Sequence, residues 1–526
     1  MHSLLQNMTI RQKAQQTAVL RIRRDNFVSD QTGAAFFFGE IITEASDLGL
    51  ENGRSLLKRY EDNAEIPMLI TSDFENGCGS MLKGLTILPY MMSLGAANDE
   101  QLAYDYGKAT ALEARSVGAN WTFSPVSDLN TNFRNPLVNV RGLTDDPDLA
   151  CRLLPQIVRG MQDNGLAACA KHFPGDGVDW RDQHIVTTVN SLSMEEWKQQ
   201  HGRVFQTLID AGVYSIMAGH ISLPAYQKER MDGMALPATL SKELITDLLK
   251  GEMGFDGVVV TDAMDMGGFN GFYPSLHQTE IESFKAGCDM MLWPTPEYVD
   301  NLVAAVESGE VSIERLNDAV SRILRMKEKL GLFKHPSFRP VSPEEKEFVR
   351  GVARRVGDQS LTLLRDEMHL FPISPETHRR IAVVPVTHHL PAMEESVLLC
   401  RLLRERGFEV TEYPDGIRDD QQKDYDLIVY ALFSRPFRPM GFLDFMAGEA
   451  VKVQRALQCG REKTLIVSFG SPYFAEQYFE RAKTVVNAYS MLSPSVEAFV
   501  RVACGDGRFT DFSPVRLHRF AQPYNA

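Results

Sequence analysis

No window of this sequence reaches the roughly 20 consecutive apolar residues that a membrane-spanning helix needs. The amino-terminal segment from Met1 to Arg24 carries polar residues throughout and has no unbroken apolar stretch of signal-peptide length. Cysteine is just as thinly patterned. Cys78, Cys151, Cys169, Cys288, Cys400, Cys459 and Cys504 stand singly, without a Cys-x-x-Cys, which argues against a disulfide framework and a structural zinc site. These absences lead to the expectation of a cytoplasmic chain with reduced thiols. No run of Lys and Arg concentrates positive charge, and the formal net charge is -14. Such a chain repels phosphate backbones, so neither nucleic acid nor an anionic membrane surface is an expected partner. A neutral or cationic small substrate fits better, and no residue pattern calls for a metal or cofactor. Internal repeats and low-complexity tracts are missing too.

What is present is a globular composition, 44% hydrophobic and 24% charged, over 526 residues. That length exceeds one ordinary core and suggests a large domain plus a smaller one. Short apolar runs recur at 34–38, 68–70, 121–123, 167–170, 213–217, 258–260 and 290–292, with helix-like segments between most of them. Runs that are apolar on consecutive positions suit strands buried on both faces, as in a parallel sheet with covering helices. Ser241 is placed to cap a helix carrying the stripe Leu244, Ile245, Leu248 and Leu249, and Ser312 to cap another that stops at Gly331. Residues 333–340 have the proline content of a linker, a charged helix is expected over 344–359, and strands follow at 381–384, 408–413, 426–430, 465–469 and 485–488. The expected fold is therefore α/β: a (β/α)8 barrel of the TIM type over 1–335, a linker and helix over 336–375, and a smaller three-layer α/β domain over 376–526.

Several apolar runs give way at their carboxyl ends to polar or flexible residues: Asp73 and Glu75, Ser127 and Asp128, Lys171 and His172, Gly219 and His220, Thr261 and Asp262. In a (β/α)8 barrel that end is where the active site is built. After any single strand such residues need mean no more than a wet loop, but five such ends make coincidence a poorer account.

Two stretches carry most of the chemistry. The first is Lys171-His172-Phe173-Pro174-Gly175-Asp176-Gly177, followed by Asp182-Gln183-His184. Lys171 and His172 at a strand end are donors suited to vicinal sugar hydroxyls, although Lys171 could equally pair with a barrel carboxylate. An Asp beside a His can orient the ring and make it a proton donor and acceptor near neutral pH, and the polar stretch holding this pair suggests a mobile loop. The second stretch is Val258-Val259-Val260-Thr261-Asp262. A carboxylate on a stiff strand end has the positioning that a covalent nucleophile requires, and Asp265, on the following turn, competes less well. Cleavage of a glycoside calls for such a nucleophile with an acid/base group across the scissile bond.

With these motifs the chain resembles family 3 glycoside hydrolases, and among them the β-N-acetylglucosaminidase branch. The resemblance rests on Lys171 to Gly175, on Asp182 and His184 at the family's spacing, and on Thr261-Asp262 at its nucleophile position. Asp73 in Ser72 to Gly77, the stretch Asn120 to Val126, Arg141 and Met217 to His220 add to it. The resemblance implies that Asp73, Arg141, Lys171 and His172 bind hydroxyls of the nonreducing sugar and that Asp262 attacks its anomeric carbon. It further implies that His184, oriented by Asp182, protonates the leaving oxygen and later activates water. In larger relatives the acid/base is a carboxylate from the second domain, so here that domain is expected to be structural or to shape the cleft. Three departures stand out: Asp176 where many relatives have His, Gln183 where they have Ser, and Gly142-Leu143 where they often have Ser-Phe.

The expected activity is removal of terminal β-linked N-acetylglucosamine from cell-wall or chitin-derived oligosaccharides. A β-glucosidase or a phosphorylase of the same family is the alternative, because a His acid/base adds no negative charge against a phosphate acceptor. A barrel lyase with Lys171 as Schiff base would leave Asp262 and the Asp-x-His loop without roles, and a silent sugar-binding protein would leave the whole catalytic set without one. Natural substrate and oligomeric state are not written in these residues.

Overall fold

In the computed structural model of the chain, the described residues are 2–22, 32–37, 55, 58, 64–335, 338–387, 394–434, 436, 439, 441, 443–445, 447–458, 461–479 and 481–517. Of the residues singled out above, Met1, Arg23, Arg24, Phe38, Pro336, Ser337, Cys459 and the last stretch of the second domain, 518–526, lie outside them.

Eight short strands run parallel in a ring: β1 (Ala18–Arg21), β2 (Ala34–Phe36), β3 (Leu69–Ser72), β4 (Trp121–Thr122), β5 (Cys169–Phe173), β6 (Ser215–Ala218), β7 (Val258–Thr261) and β8 (Met291–Leu292). β8, β1, β2, β3 and β4 pair in that order, and so do β5, β6 and β7. Parallel bridges from Trp121 to Ala167 and from Val260 to Met290 join the two runs and close the barrel. Alternate side chains of a strand take opposite faces. Val19, Ala34, Phe36, Leu69, Trp121, Cys169, Met217, Val258, Val260 and Leu292 accordingly share one buried cluster, which fills the barrel. Their neighbours Ala18, Ala35, Ile70, Ala170, Ile216, Val259 and Met291 belong to a second cluster, beneath the helices.

The apolar runs mark seven of these strands and pass over β1. Only Ala18 and Val19 of its four residues are buried, too short a pattern to stand out within a polar segment. Pairing with β2 on one side and β8 on the other is what makes it a strand. The expected caps are present. Ser312 Oγ accepts from Arg315 N at 3.1 Å, and Gly331 follows that helix with φ +72°. Ser241 Oγ accepts from Leu244 N at 3.3 Å at the head of a helix with wide π-type turns, Glu243–Glu252.

Helices α1 (Glu100–Arg115) and α2 (Pro147–Gln162) pack against each other through glycines. A Cβ at Gly160 would lie 2.1 Å from the Tyr104 carbonyl oxygen, and one at Gly107 would lie 2.1 Å from that of Ile157. Only hydrogen fits there. Gly160→Ala is expected to destabilise the fold by about 1–3 kcal/mol through overpacking. Thermal unfolding measures it, and an unchanged Tm would refute the close approach.

Beyond the barrel, α3 (Pro343–Ser360) opens with a capping box at Ser342, and its Val349, Val352 and Val356 join the cluster under the barrel helices. The second sheet contains β9 (Thr362–Asp366), β10 (Arg380–Thr387), β11 (Glu409–Glu412), β12 (Leu427–Phe433), β13 (Thr464–Phe469) and β14 (Thr484–Asn487). Their order is β9-β14-β13-β12-β10-β11, parallel except for β9 against β14. Ile381 and Val383 pack into one apolar cluster and Ala382, Val384 and Val386 into another, as a sheet covered on both faces requires. Met92, Ala96 and Val140 of the barrel side pack with Tyr473 and Tyr489, and Asn130 Nδ2 donates to the Tyr473 hydroxyl at 2.9 Å.

Candidate active site

The alternation that fills the barrel also carries ionisable groups to its mouth. Inward positions continue from Leu69 through Thr71 to Asp73, from Cys169 to Lys171, and from Val258 and Val260 to Asp262. Asp73, Lys171 and Asp262 line one cleft of about 650 Å³ together with Arg141, His172 and His184. Asp182 stands behind His184, so all seven expected site residues come together.

Lys171 Nζ lies 2.8 Å from Asp73 Oδ1 and 2.8 Å from Glu75 Oε1. Arg141 grips Glu75 with two prongs, Nε to Oε2 at 2.8 Å and Nη2 to Oε1 at 2.7 Å, and its Nη1 donates to the Leu137 carbonyl at 3.1 Å. Burial opposes the guanidinium charge, but the Glu75 carboxylate outweighs it and holds Arg141 above its ordinary range. Two cations and two carboxylates thus neutralise one another at the floor of the cleft. Asp73 is the most accessible of the four, with 19% of its side chain exposed.

Asp262 N donates to the Ala218 carbonyl at 2.8 Å, and Asp262 Oδ1 accepts from Ala263 N at 2.8 Å. Burial pushes this carboxyl up, but His172, His220, His184 and Lys171 together pull it down to about 2. At neutral pH it is a carboxylate. Asp265 lines the same cleft in an ion pair with Arg21 at 3.0 Å, and that guanidinium stacks 3.9 Å from the Trp293 ring centroid.

His184 is anchored by its own loop. Its Nδ1 lies 2.7 Å from Asp182 Oδ1, which also accepts from His184 N at 2.8 Å. Asp182 has no exposed side chain whereas His184 is 20% exposed, so Nε2 is the nitrogen available to a substrate oxygen. Its loop is hydrogen-bonded to the segment beyond β7. Gly267 N donates to the His184 carbonyl at 2.8 Å, Gly268 N to that of Gln183 at 3.1 Å, and Thr187 Oγ1 to that of Gly268 at 2.8 Å.

Two departures from the family pattern meet in space. Gln183 Nε2 donates to Asp176 Oδ2 at 3.3 Å, and Gln183 Oε1 accepts from His220 N at 2.9 Å. Asn135 Nδ2 donates to Asp176 Oδ1 at 3.1 Å, while burial and then the Asp128 carboxylate raise Asp176 above the usual carboxylate range. At the third departure, a Cβ on Gly142 would come within 2.8 Å of Val138 Cγ1.

Other residues of the site are absent from the expected set. Glu75 has a signal, since it follows Asp73 by one more two-residue step. Asp128, bound to His172, is legible only as a polar residue after a strand. Pro436 and Leu492 reach the cleft from the second domain, and nothing in their local sequence points there. Among the described residues no group of three or more His, Cys, Asp or Glu side chains could hold a metal ion, and no helix is long and apolar enough to cross a membrane.

The parallel barrel thus brings an ionised carboxylate and a carboxylate-anchored histidine to one cleft, over a floor of paired charges. Residues 9–326 match the glycosyl hydrolase family 3 N terminal domain, and the chain belongs to that family of glycoside hydrolases. It is 31% identical over 487 residues to a β-N-acetylglucosaminidase/β-glucosidase from Cellulomonas fimi, covering 86% of this chain and 84% of that one. The structure is similar to a family 3 β-N-acetylglucosaminidase from Paenibacillus sp. str. FPU-7, with TM-score 0.83, 27% identity and coverage of 97% and 99%. It is also similar to the β-glucoside phosphorylase BglX bound to 2FGlc, with TM-score 0.87, 29% identity and coverage of 98% and 95%.

Proposed function

We propose that the chain is a retaining β-N-acetylglucosaminidase that removes terminal nonreducing β-linked N-acetylglucosamine from cell-wall or chitin-derived oligosaccharides. The observation that carries this reading is the ionised Asp262 and the Asp182-anchored His184 lining the same cleft. In this reading Asp262 attacks the anomeric carbon as His184 Nε2–H protonates the leaving oxygen. His184 then takes a proton from water, which displaces Asp262 and restores both groups. Asp73, Lys171, His172 and Arg141 hold the hydroxyls of the sugar. Of the five N–H donors of Arg141, three are engaged within the protein, which leaves two for ligand. Catalysis is assigned to residues 1–335, and the domain over 376–526 shapes the cleft through Pro436 and Leu492. The singly scattered cysteines support action in the cytoplasm.

The sugar assignment rests on the relatives named for N-acetylglucosamine. The likeness to BglX favours phosphorolysis as the second reading. One assay separates them: aryl alcohol release from an aryl β-N-acetylglucosaminide and from the matching β-glucoside, with and without phosphate. The expected result is turnover of the former to free sugar at a rate indifferent to phosphate. Activity confined to the glucoside overturns the sugar assignment, and a phosphate-dependent rate with accumulation of sugar 1-phosphate overturns the acceptor.

A further inference from the structure

The site contains two Asp–His pairs of equal length, and the proposed function uses the carboxylate of only one. Asp182 and His184 meet at 2.7 Å in the loop, and Asp128 and His172 meet at 2.7 Å in the wall below it. The second pair is the more deeply set, with Asp128 at 0% and His172 at 4% side-chain exposure. Asp128 arrives there because the chain beyond β4 runs beside β5: Val126 bridges to Lys171, and Ser127 N donates to the Lys171 carbonyl at 2.6 Å. Asp128 then binds three nitrogens. Its Oδ1 accepts from His172 N at 3.0 Å and from Asp176 N at 2.7 Å, and its Oδ2 meets His172 Nδ1. The other ring nitrogen, His172 Nε2, lies 3.8 Å from Asp262 Oδ2.

We infer that Asp128 is a positioning residue for the nucleophile, holding the His172 ring as a charge partner against Asp262. This rests on the reading of Asp262 as nucleophile. The two histidines then divide the work. His184, part-exposed, exchanges protons with substrate and water. His172, pinned from behind, offsets the cost of a buried anion, both before attack and as Asp262 departs from the glycosyl-enzyme. The electrostatics agree. Burial pushes Asp262 up, and His172 is the foremost of the charges that bring it down, ahead of His220 beyond the end of β6, His184 from the loop and Lys171 from β5. Burial likewise pushes Asp128 up, and His172 outweighs it. Asp176, Arg141 and His201 are the other titratable groups that sense the Asp128 charge.

Asp128→Asn is the test. Its Oδ1 can keep both backbone donors while Nδ2 donates to His172 Nδ1, so the variant removes the charge and preserves the shape. A ring bound to a neutral amide offsets the buried Asp262 charge less than one bound to a carboxylate, so Asp262 takes up its proton at a higher pH. The acid limb of kcat/KM on the aryl glycoside, which in this reading follows the Asp262 carboxyl, is expected to rise by about one to three pH units, the span between water-like and protein-like screening at 3.8 Å. A merely structural Asp128 would lower stability or rate and leave the limb in place. His172→Asn is expected to move the limb the same way, and the double variant no further, because Asp128 acts through His172. An unmoved limb in Asp128→Asn, or shifts that add in the double variant, overturns the inference. If Asp128→Asn does not fold, an unmoved limb in His172→Asn does the same. Turnover surviving in Asp262→Ala would instead overturn the nucleophile reading, and so tells the two failures apart.

Discussion

Asp262→Ala is expected to lower kcat/KM on an aryl β-N-acetylglucosaminide by roughly 10,000-fold or more, as loss of a covalent nucleophile does elsewhere. The substitution removes a group on the last inward step of a stiff strand, whose position no neighbour can take over. Asp265 is the nearest carboxylate in sequence, and its ion pair with Arg21 and 58% side-chain exposure keep it from substituting. The vacated space admits a small anion such as azide, which would attack from the face opposite the leaving group. Partial recovery with azide and formation of the α-linked sugar azide would mark the attacking face. Full activity in the variant would end the double-displacement reading.

The largest effect on stability is expected from Glu75→Ala. Glu75 is 8% exposed and touches two buried cations, Arg141 at 2.7 Å and Lys171 at 2.8 Å. Removing it takes from Arg141 the carboxylate it grips and from Lys171 one of the carboxylates it touches. Breaking a buried ion pair from one side costs about 3–5 kcal/mol, because a charge is left in a poorly solvating place. Urea unfolding would report the loss as a lower midpoint, and under the proposed function, in which both cations hold hydroxyls, KM is expected to rise. A variant as stable as the wild type would mean that water reaches this floor and that the four charges are solvated rather than paired.

Much of the fold could be read from the residues because a parallel barrel buries its strands on both faces. Val258 to Val260 and Met290 to Leu292 therefore stand out as unbroken apolar runs. β1 and β9 did not stand out, for a related reason. Each is a short strand with half-buried residues, and β9, an edge strand with one buried residue in five, is recognisable only beside β14. The active site divides along the same line. Asp73, Lys171 and Asp262 can be placed from the two-residue step along their own strands. Arg141 enters from a loop, and Pro436 and Leu492 from another domain, so their arrival depends on contacts far apart in the chain. Glu75 and Asp128 could be seen as polar residues after strands, but their partners, which are what give them a place in the site, could not.

Asp176 and Gln183 are seven positions apart in the chain and form a single unit of exchange. Each supplies a buried hydrogen-bonding partner to the other, and Gln183 extends the link to the backbone of His220. Grafting the more usual family residue at only one of these positions would take from the other one of its buried hydrogen-bonding partners. Along a mutational route between this chain and such relatives, the two sites are expected to travel together, and a graft at one alone is half a change.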